Sequence, residues 1–142
     1  MPSRRKSELQ KLVDTVAHLR SPKGCPWDRE QTHVSLIPYL REEAREVEQA
    51  LRRGRWHEIE DELGDLLLQI LLHSEIAREK RRFTLEDVAR SQRLKLVRRH
   101  PHVFGDAQFK TAQAVLRNWD QIKKRERKLR RADVAARDVR RR

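Results

Sequence analysis

Four carboxylates that occur as two equally spaced pairs are the residues of this chain best suited to chemistry. Glu43 and Glu46 form the first pair, and Glu62 and Asp65 form the second. Residues three apart lie on one face of an α-helix, so two such helices packed side by side would bring four anions together. Because like charges repel, this arrangement needs a cation, and oxygen ligands suit a hard divalent ion. The spacing therefore predicts a Mg²⁺ or Mn²⁺ site, a kind of site that usually serves phosphate chemistry.

Five helices are predicted from the period of the apolar residues and from the turn residues between them. They are expected over residues 9–20, 35–53, 56–80 and 84–100, and from about residue 111 into the basic C-terminal segment. Loops are expected over 21–32, where Pro22, Gly24 and Pro26 interrupt the pattern, and from Pro101 through Gly105. Because no strand pattern is found, the predicted fold is all-α, a bundle of four to five helices.

The second helix places a carboxylate among apolar side chains. Its apolar stripe consists of Leu36, Leu40, Val47 and Leu51. Glu43 falls inside this stripe and Glu46 lies on its border, and a carboxylate in a core is strongly unfavourable unless it is paired or bound to a metal. Ion pairs with the abundant arginines would explain Glu46 or Asp65 alone, but not four acids at matched spacing.

The third helix is apolar on two sides. The side predicted to face the core consists of Ile59, Leu63, Leu66, Leu67 and Ile70. A polar seam along its edge consists of Glu62, Asp65, Gln69 and His73. The opposite side carries Leu68, Leu71 and Leu72, and a helix that is apolar all round is buried all round. In so short a chain the expected cover is a second copy, so we predict a homodimer with the third helix at its interface.

The composition predicts a small cytoplasmic protein. The chain has 142 residues, of which 37% are hydrophobic and 39% charged, and it fits one domain. Its longest apolar stretch, residues 66–72, is broken by Gln69 and too short to cross a bilayer, and the N-terminus lacks the apolar run of a signal peptide. The single cysteine, Cys25, cannot form an internal disulfide.

The net charge of +12 is concentrated at the C-terminal end. Residues 123–142 contain eleven Lys or Arg and three Asp or Glu, which leaves only +4 for the rest of the chain. We therefore predict a globular domain over residues 7–122 and a basic helical extension over 123–142. A solvated helix is the preferred interpretation of this extension, and nucleic-acid binding is the alternative.

Several segments around the acid pairs are similar to those of one known family. They are residues 24–33 (GCPWDREQTH), 38–47 (PYLREEAREV), 62–69 (ELGDLLLQ), 95–104 (KLVRRHPHVF) and 118–123 (NWDQIK). In this order they resemble the MazG family of nucleoside triphosphate pyrophosphohydrolases, over roughly residues 9–126. The ExxE and ExxD pattern alone is only moderately specific, whereas the ordered set is strongly so.

The resemblance implies a Mg²⁺-dependent hydrolase of the nucleotide pool that cuts a nucleoside triphosphate to the monophosphate and pyrophosphate. The metal ligands of the family fall on Glu43, Glu46, Glu62 and Asp65. Its phosphate-contacting segment falls on Lys95, Arg98 and Arg99, and its tryptophan near the nucleotide falls on Trp119. Many members carry two such domains in tandem, whereas this sequence has one. A specificity for one particular substrate, such as dUTP, dCTP or phosphoribosyl-ATP, is an open alternative.

The expected mechanism begins with a divalent ion that offsets the charge of the triphosphate and lowers the pKa of a water. That water would attack the α-phosphorus in line, and Glu42 or Glu46 would accept its proton. Lys95, Arg98 and Arg99 would neutralise the pyrophosphate as it leaves.

Simpler interpretations of several residues stay open. Trp119 shares a helical face with Val115 and Ile122, so it is either a core residue or one that stacks on the base. His73 is expected to be hydrogen-bonded and not a metal ligand. The alternative function is a catalytically silent basic dimer that binds nucleic acid through its C-terminal segment. A di-iron bundle is disfavoured because it would need Glu-x-x-His motifs.

Overall fold

The computed structural model describes the backbone of residues 4–140 and the side chains of residues 4–135. This part of the chain contains seven helices and no strand. They are α1 (Glu8–Leu19), α2 (Pro26–Glu30), α3 (Ile37–Arg53), α4 (Trp56–Glu79), α5 (Leu85–Arg99), α6 (Pro101–Phe104) and α7 (Ala112–Arg140). The all-α prediction is confirmed, and α1, α3, α4, α5 and α7 are the five predicted helices. None of these helices has the length and apolar content needed to cross a membrane.

Two short helices lie where loops were predicted. α2 and α6 begin with Pro26 and Pro101 respectively. Proline interrupts a helix in its interior, but at the first position it loses no intrahelical hydrogen bond and its fixed φ suits the helix. The prediction of uninterrupted loops over 21–32 and 101–105 was wrong for this reason.

The connection between α3 and α4 is short because Gly54 ends α3 in the left-handed conformation. Its φ is 72°, and its N–H donates to the carbonyl of Ala50. A side chain is strained at such a φ, whereas glycine adopts it readily. With Arg55, Gly54 joins the two helices that carry the acid pairs, and these helices pack against each other.

The chain divides into two compact units, and the first comprises Met1–Val88. In this unit α4 packs against both α3 and α1. Its buried core consists of Val16, Leu36, Leu71, Leu72 and Ile76. Partly buried side chains around this core are Leu12, Val13, Leu67, Leu68 and Leu85. α4 is thus the central helix of the first unit.

The sides of α4 that are buried and exposed differ from those that were predicted. Leu71 and Leu72 were expected to be covered by a second copy, but they are buried in the core of their own chain, where α1 packs. Leu63 and Ile70 were expected in the core, but they are 48% and 42% exposed. Leu51, expected in the stripe of α3, is also exposed. A helix that is apolar on two sides does not reveal which side its neighbours cover, and here the docking of α1 decides.

A buried arginine organises the segment between α1 and α3. The Arg20 side chain is only 6% exposed. Its guanidinium donates to both carboxylate oxygens of Glu79 on α4 and to the carbonyls of Asp28 and Gln31. The turn beside it needs Gly24, because a Cβ there would lie 2.2 Å from the carbonyl oxygen of His18. Arg20 therefore fixes the ends of α1, α2 and α4 to one another.

The second unit comprises Ala89–Arg142. In it α7 continues without a break across residues 122 and 123, so the basic segment is helical as far as Arg140. All seven Lys and Arg side chains between 123 and 131 are exposed. The cations at 137 and 140–142 lie outside the described side chains. The domain boundary at residue 122 and the binding of nucleic acid stay predictions.

Candidate functional site

The acid pairs of α3 and α4 converge in the first unit. One carboxylate oxygen each from Glu43, Glu62 and Asp65 lies within 4.8 Å of the other two. The Glu46 carboxylate lies close enough to raise the pKa values of both Glu43 and Glu62 by its charge and by hydrogen bonding. All four predicted acids therefore belong to one cluster, with Glu46 beside its three-oxygen centre.

Two oxygens in this cluster are buried without a partner. Oε2 of Glu43 and Oε2 of Glu62 are inaccessible and accept no hydrogen bond from the described residues. A buried carboxylate oxygen without a donor is unfavourable, since it has lost its water and gained nothing in return. The Asp65 side chain is exposed, so the cluster opens to solvent on that side.

Two carboxyl groups of the cluster, those of Glu43 and Glu62, have raised pKa values. Burial raises the pKa of Glu43 above its ordinary value, and the charges of Asp65 and Glu46 raise it further. Burial also raises the pKa of Glu62, followed by the charges of Glu46 and Asp65. Both shifts mean that a positive charge at this point would stabilise the ionised carboxylates.

Arginines do not neutralise the cluster. No ion pair among the described side chains involves Glu43, Glu46, Glu62 or Asp65. The simpler interpretation, in which these acids pair with nearby arginines, is therefore wrong. Two buried oxygens without a partner, and carboxylate oxygens from three residues within 4.8 Å of one another, fit a hard divalent cation, since the donor set consists only of carboxylates.

The predicted phosphate-binding residues lie in the second unit, at the end of α5. The guanidinium groups of Arg98 and Arg99 both donate to Glu126 of α7, at 2.6 Å and 2.7 Å. Lys95 is half-buried one turn earlier. The hydrogen bonds that Glu126 accepts from Arg99 and Arg98 lower the pKa of its carboxyl group to about 2. Glu126 was not predicted to belong to this group, although it lies seven residues after Trp119 and so on the same helical face.

Trp119 contacts the same segment. Its Nε1 donates to the carbonyl of Arg99 at 2.8 Å, and its ring meets His100 edge to face. The half-buried tryptophan therefore makes structural contacts within its unit. Stacking on a base stays a prediction.

A histidine pair joins α4 to the segment before α3. Nδ1 of His33 and Nδ1 of His73 are 2.7 Å apart. One ring donates its N–H to the unprotonated nitrogen of the other, so the bond requires at least one neutral ring. The prediction that His73 is hydrogen-bonded is confirmed, but no sequence pattern indicated His33 as its partner. Nε2 of His73 is buried and has no partner among the described residues.

The histidine pair predicts a loss of stability in weak acid. Burial, and then the charge of His33, lower the pKa of His73. The unfolded chain therefore binds a proton more readily, and the free energy of unfolding should fall as pH drops below about 6.5, by at most about 1.4 kcal/mol per pH unit for this group. His73→Gln should reduce this slope in urea titrations between pH 7.5 and 5. His18→Gln, at an exposed position, should leave it unchanged, and equal slopes in both variants would contradict the assignment.

Comparison with known proteins shows what this chain is similar to. Residues 31–104 match the family described as the MazG nucleotide pyrophosphohydrolase domain, a match that includes all four acids. The nucleoside triphosphate pyrophosphohydrolase/pyrophosphatase MazG of Thermotoga maritima is 48% identical over 118 residues, which cover 83% of this chain and 45% of that protein. The nucleoside triphosphate pyrophosphohydrolase of Escherichia coli K12 is 41% identical over 122 residues, which cover 85% and 46%.

A solved structure agrees with the fold. The crystal structure of a mazG-related protein from Thermotoga maritima matches with a TM-score of 0.64 at 25% identity, over 82% of this chain and 96% of that one. The chain spans slightly less than half the length of the curated relatives named above.

Proposed function

Because this chain belongs to the MazG nucleotide pyrophosphohydrolase family, we propose that it hydrolyses nucleoside triphosphates to the monophosphate and pyrophosphate. The observation that carries the proposal is the acid cluster, in which two buried carboxylate oxygens have no partner. An exposed ion-pair network would neutralise its acids, whereas this cluster leaves them unneutralised. That arrangement suits an enzyme that acts on a polyanion with the help of a cation.

Mg²⁺ is the proposed cation, and Mn²⁺ is the substitute expected to support activity. Glu43, Glu62 and Asp65 would hold it, with Glu46 beside them. When bound, such an ion neutralises phosphate oxygens and makes water a better nucleophile at neutral pH. Carboxylate oxygens without histidine or cysteine favour Mg²⁺ over softer metals.

The residues of the chain have separate tasks in the proposed reaction. Glu42 or Glu46 accepts a proton from the attacking water, since each carboxylate lies beside the cluster and neither forms an ion pair among the described residues. Lys95, Arg98 and Arg99 offset the charge that develops on the leaving pyrophosphate. Trp119 contributes an aromatic surface for the base.

The direct test is hydrolysis of canonical and oxidised nucleoside triphosphates with MgCl₂. Pyrophosphate and the monophosphate are expected in equal amounts, and EDTA should abolish both. In ¹⁸O-labelled water the label should enter the monophosphate, because attack is proposed at the α-phosphorus. Label in pyrophosphate, or release of orthophosphate alone, would contradict the proposal.

A second copy of the chain is the proposed protein partner. Trp56, Leu63 and Ile70 follow one another at intervals of seven residues on α4, and all three are exposed in the single chain. Residues spaced by seven lie on one face of a helix, so these side chains form a continuous apolar stripe. Such a stripe favours burial against another copy, through a different side of α4 from the predicted one.

A further inference from the structure

One carboxylate of α7 holds both arginines at the end of α5. Oε1 of Glu126 accepts from Nε and Nη2 of Arg98, at 2.9 Å and 2.6 Å. Oε2 accepts from Nη2 of Arg99 at 2.7 Å. The Glu126 side chain is only 13% exposed, so solvent competes little with these bonds. Glu126 therefore fixes two guanidinium groups relative to one point.

The same bonds leave both arginines able to bind an anion. Each uses its Nε and Nη2 edge on Glu126, and Nη1 of each has no partner among the described side chains. An Nη1 group carries two N–H donors. The three side chains together keep a net charge of +1, so the group still attracts a phosphate.

A second contact from α7 fixes the backbone of the same segment. Trp119 donates to the carbonyl of Arg99, and Glu126 holds the side chain of that residue from two turns further along the same helical face. Arg99 is thus constrained at both its main chain and its guanidinium. If the only task of the ion pair were to attach α7 to α5, one arginine would be enough, and no contact with the backbone of Arg99 would be needed.

We infer that Glu126 is a positioning residue, which holds Arg98 and Arg99 in the orientation that receives the phosphates of the substrate. The inference rests on the proposed hydrolysis, in which these arginines neutralise pyrophosphate. A free arginine loses much rotamer freedom when it binds a phosphate, and a preoriented one has lost it already. The opposite arrangement, in which Glu126 competes with the phosphate for the arginines, would make removal of its charge strengthen anion binding.

The test compares two substitutions that add the same charge to α7. Glu126→Gln keeps the shape but weakens the hold on the arginines, and Asp120→Asn changes an exposed acid six residues earlier. We expect Glu126→Gln to weaken binding of inorganic pyrophosphate about tenfold by calorimetry, and to lower kcat/KM for hydrolysis by a similar factor. Asp120→Asn should leave both within about twofold. Unchanged or tighter binding in Glu126→Gln would overturn the inference.

Further variants separate positioning from a loss of folding and from a failure of the proposed reaction. In an Arg98→Ala, Arg99→Ala background, Glu126→Gln should have no further effect on pyrophosphate binding, because the residues through which it acts are gone. Full additivity would overturn the inference. Glu126→Asp keeps the charge and should retain more binding than Glu126→Gln. The wild type could bind pyrophosphate, with weaker binding in Glu126→Gln, and yet hydrolyse no triphosphate. In that case the proposed function fails, and the role of Glu126 in orienting the two arginines stands.

Discussion

Glu43→Gln is expected to reduce nucleoside triphosphate hydrolysis at least about a thousandfold. The substitution keeps the size of the side chain but replaces one of the three carboxylates whose oxygens lie within 4.8 Å of one another. A neutral amide offers one weaker oxygen ligand and removes a charge that the cation would balance. Pyrophosphate release at saturating MgCl₂ measures the effect, and Glu62→Gln should behave in the same way.

The same variant tests the charge of the cluster without turnover. Because burial and neighbouring acids raise the pKa of Glu43, the folded protein binds a proton there more tightly than the unfolded chain. Without a divalent cation, stability should therefore fall as pH rises above about 4.5 and through the raised pKa, and Glu43→Gln should remove this component. At pH 7.5 MgCl₂ should raise the Tm of the wild type but hardly that of the variant.

The matched control is Glu48→Gln, on the same helix but outside the cluster. Glu48 is exposed and forms an ion pair with Arg52 one turn later. This variant should keep wild-type hydrolysis within about twofold and keep the response of Tm to MgCl₂, because exposed pairs contribute little. Equal losses in the Glu43 and Glu48 variants, or more than a tenth of the activity remaining in Glu43→Gln, would reject the proposed cation site.

Arg20→Ala is expected to lower the free energy of unfolding by about 3 kcal/mol. The guanidinium is almost fully buried and donates to Glu79 and to the carbonyls of Asp28 and Gln31. Its removal leaves the carbonyl of Gln31 without a donor and that of Asp28 with only the N–H of Gln31, at 3.4 Å, and it loses the packing of the side-chain stem. Urea denaturation at pH 7.5 measures the change as a shift in midpoint at constant slope.

Arg52→Ala is the control for this prediction. Its pair with Glu48 joins two exposed side chains one helical turn apart, so its loss should cost less than about 0.5 kcal/mol. A loss below about 1 kcal/mol in Arg20→Ala would show that water replaces the hydrogen bonds of the guanidinium. In that case Arg20 would not organise the segment between α1 and α3.

Local sequence was enough to predict the parts of this molecule that depend on neighbours along the chain. The period of the apolar residues predicted five of the seven helices in the described part of the chain, and Gly54 predicted the end of α3. The two acid pairs needed only helical spacing and the packing of adjacent helices. Glu43 and Glu62 accordingly lie together in the structure, with oxygens that have no partner.

Contacts between residues far apart in the chain could not be predicted in the same way. Glu126 is 28 residues from Arg98, and His33 is 40 residues from His73. A polar residue on a helix carries no mark of the partner it will meet, because many residues of the right chemistry are available. The buried position of Arg20 was missed for the same reason.

The sequence by itself determined the five longer helices and which carboxylates lie together, because helical period and spacing act over a few residues. Only the tertiary structure decided which side of α4 is buried. Leu71 and Leu72 became core and Leu63 stayed exposed because α1 packs on one side of a helix that is apolar on both. Burial is a property of the packed chain, so hydrophobicity alone cannot distinguish a side covered by the same chain from a side left for a partner.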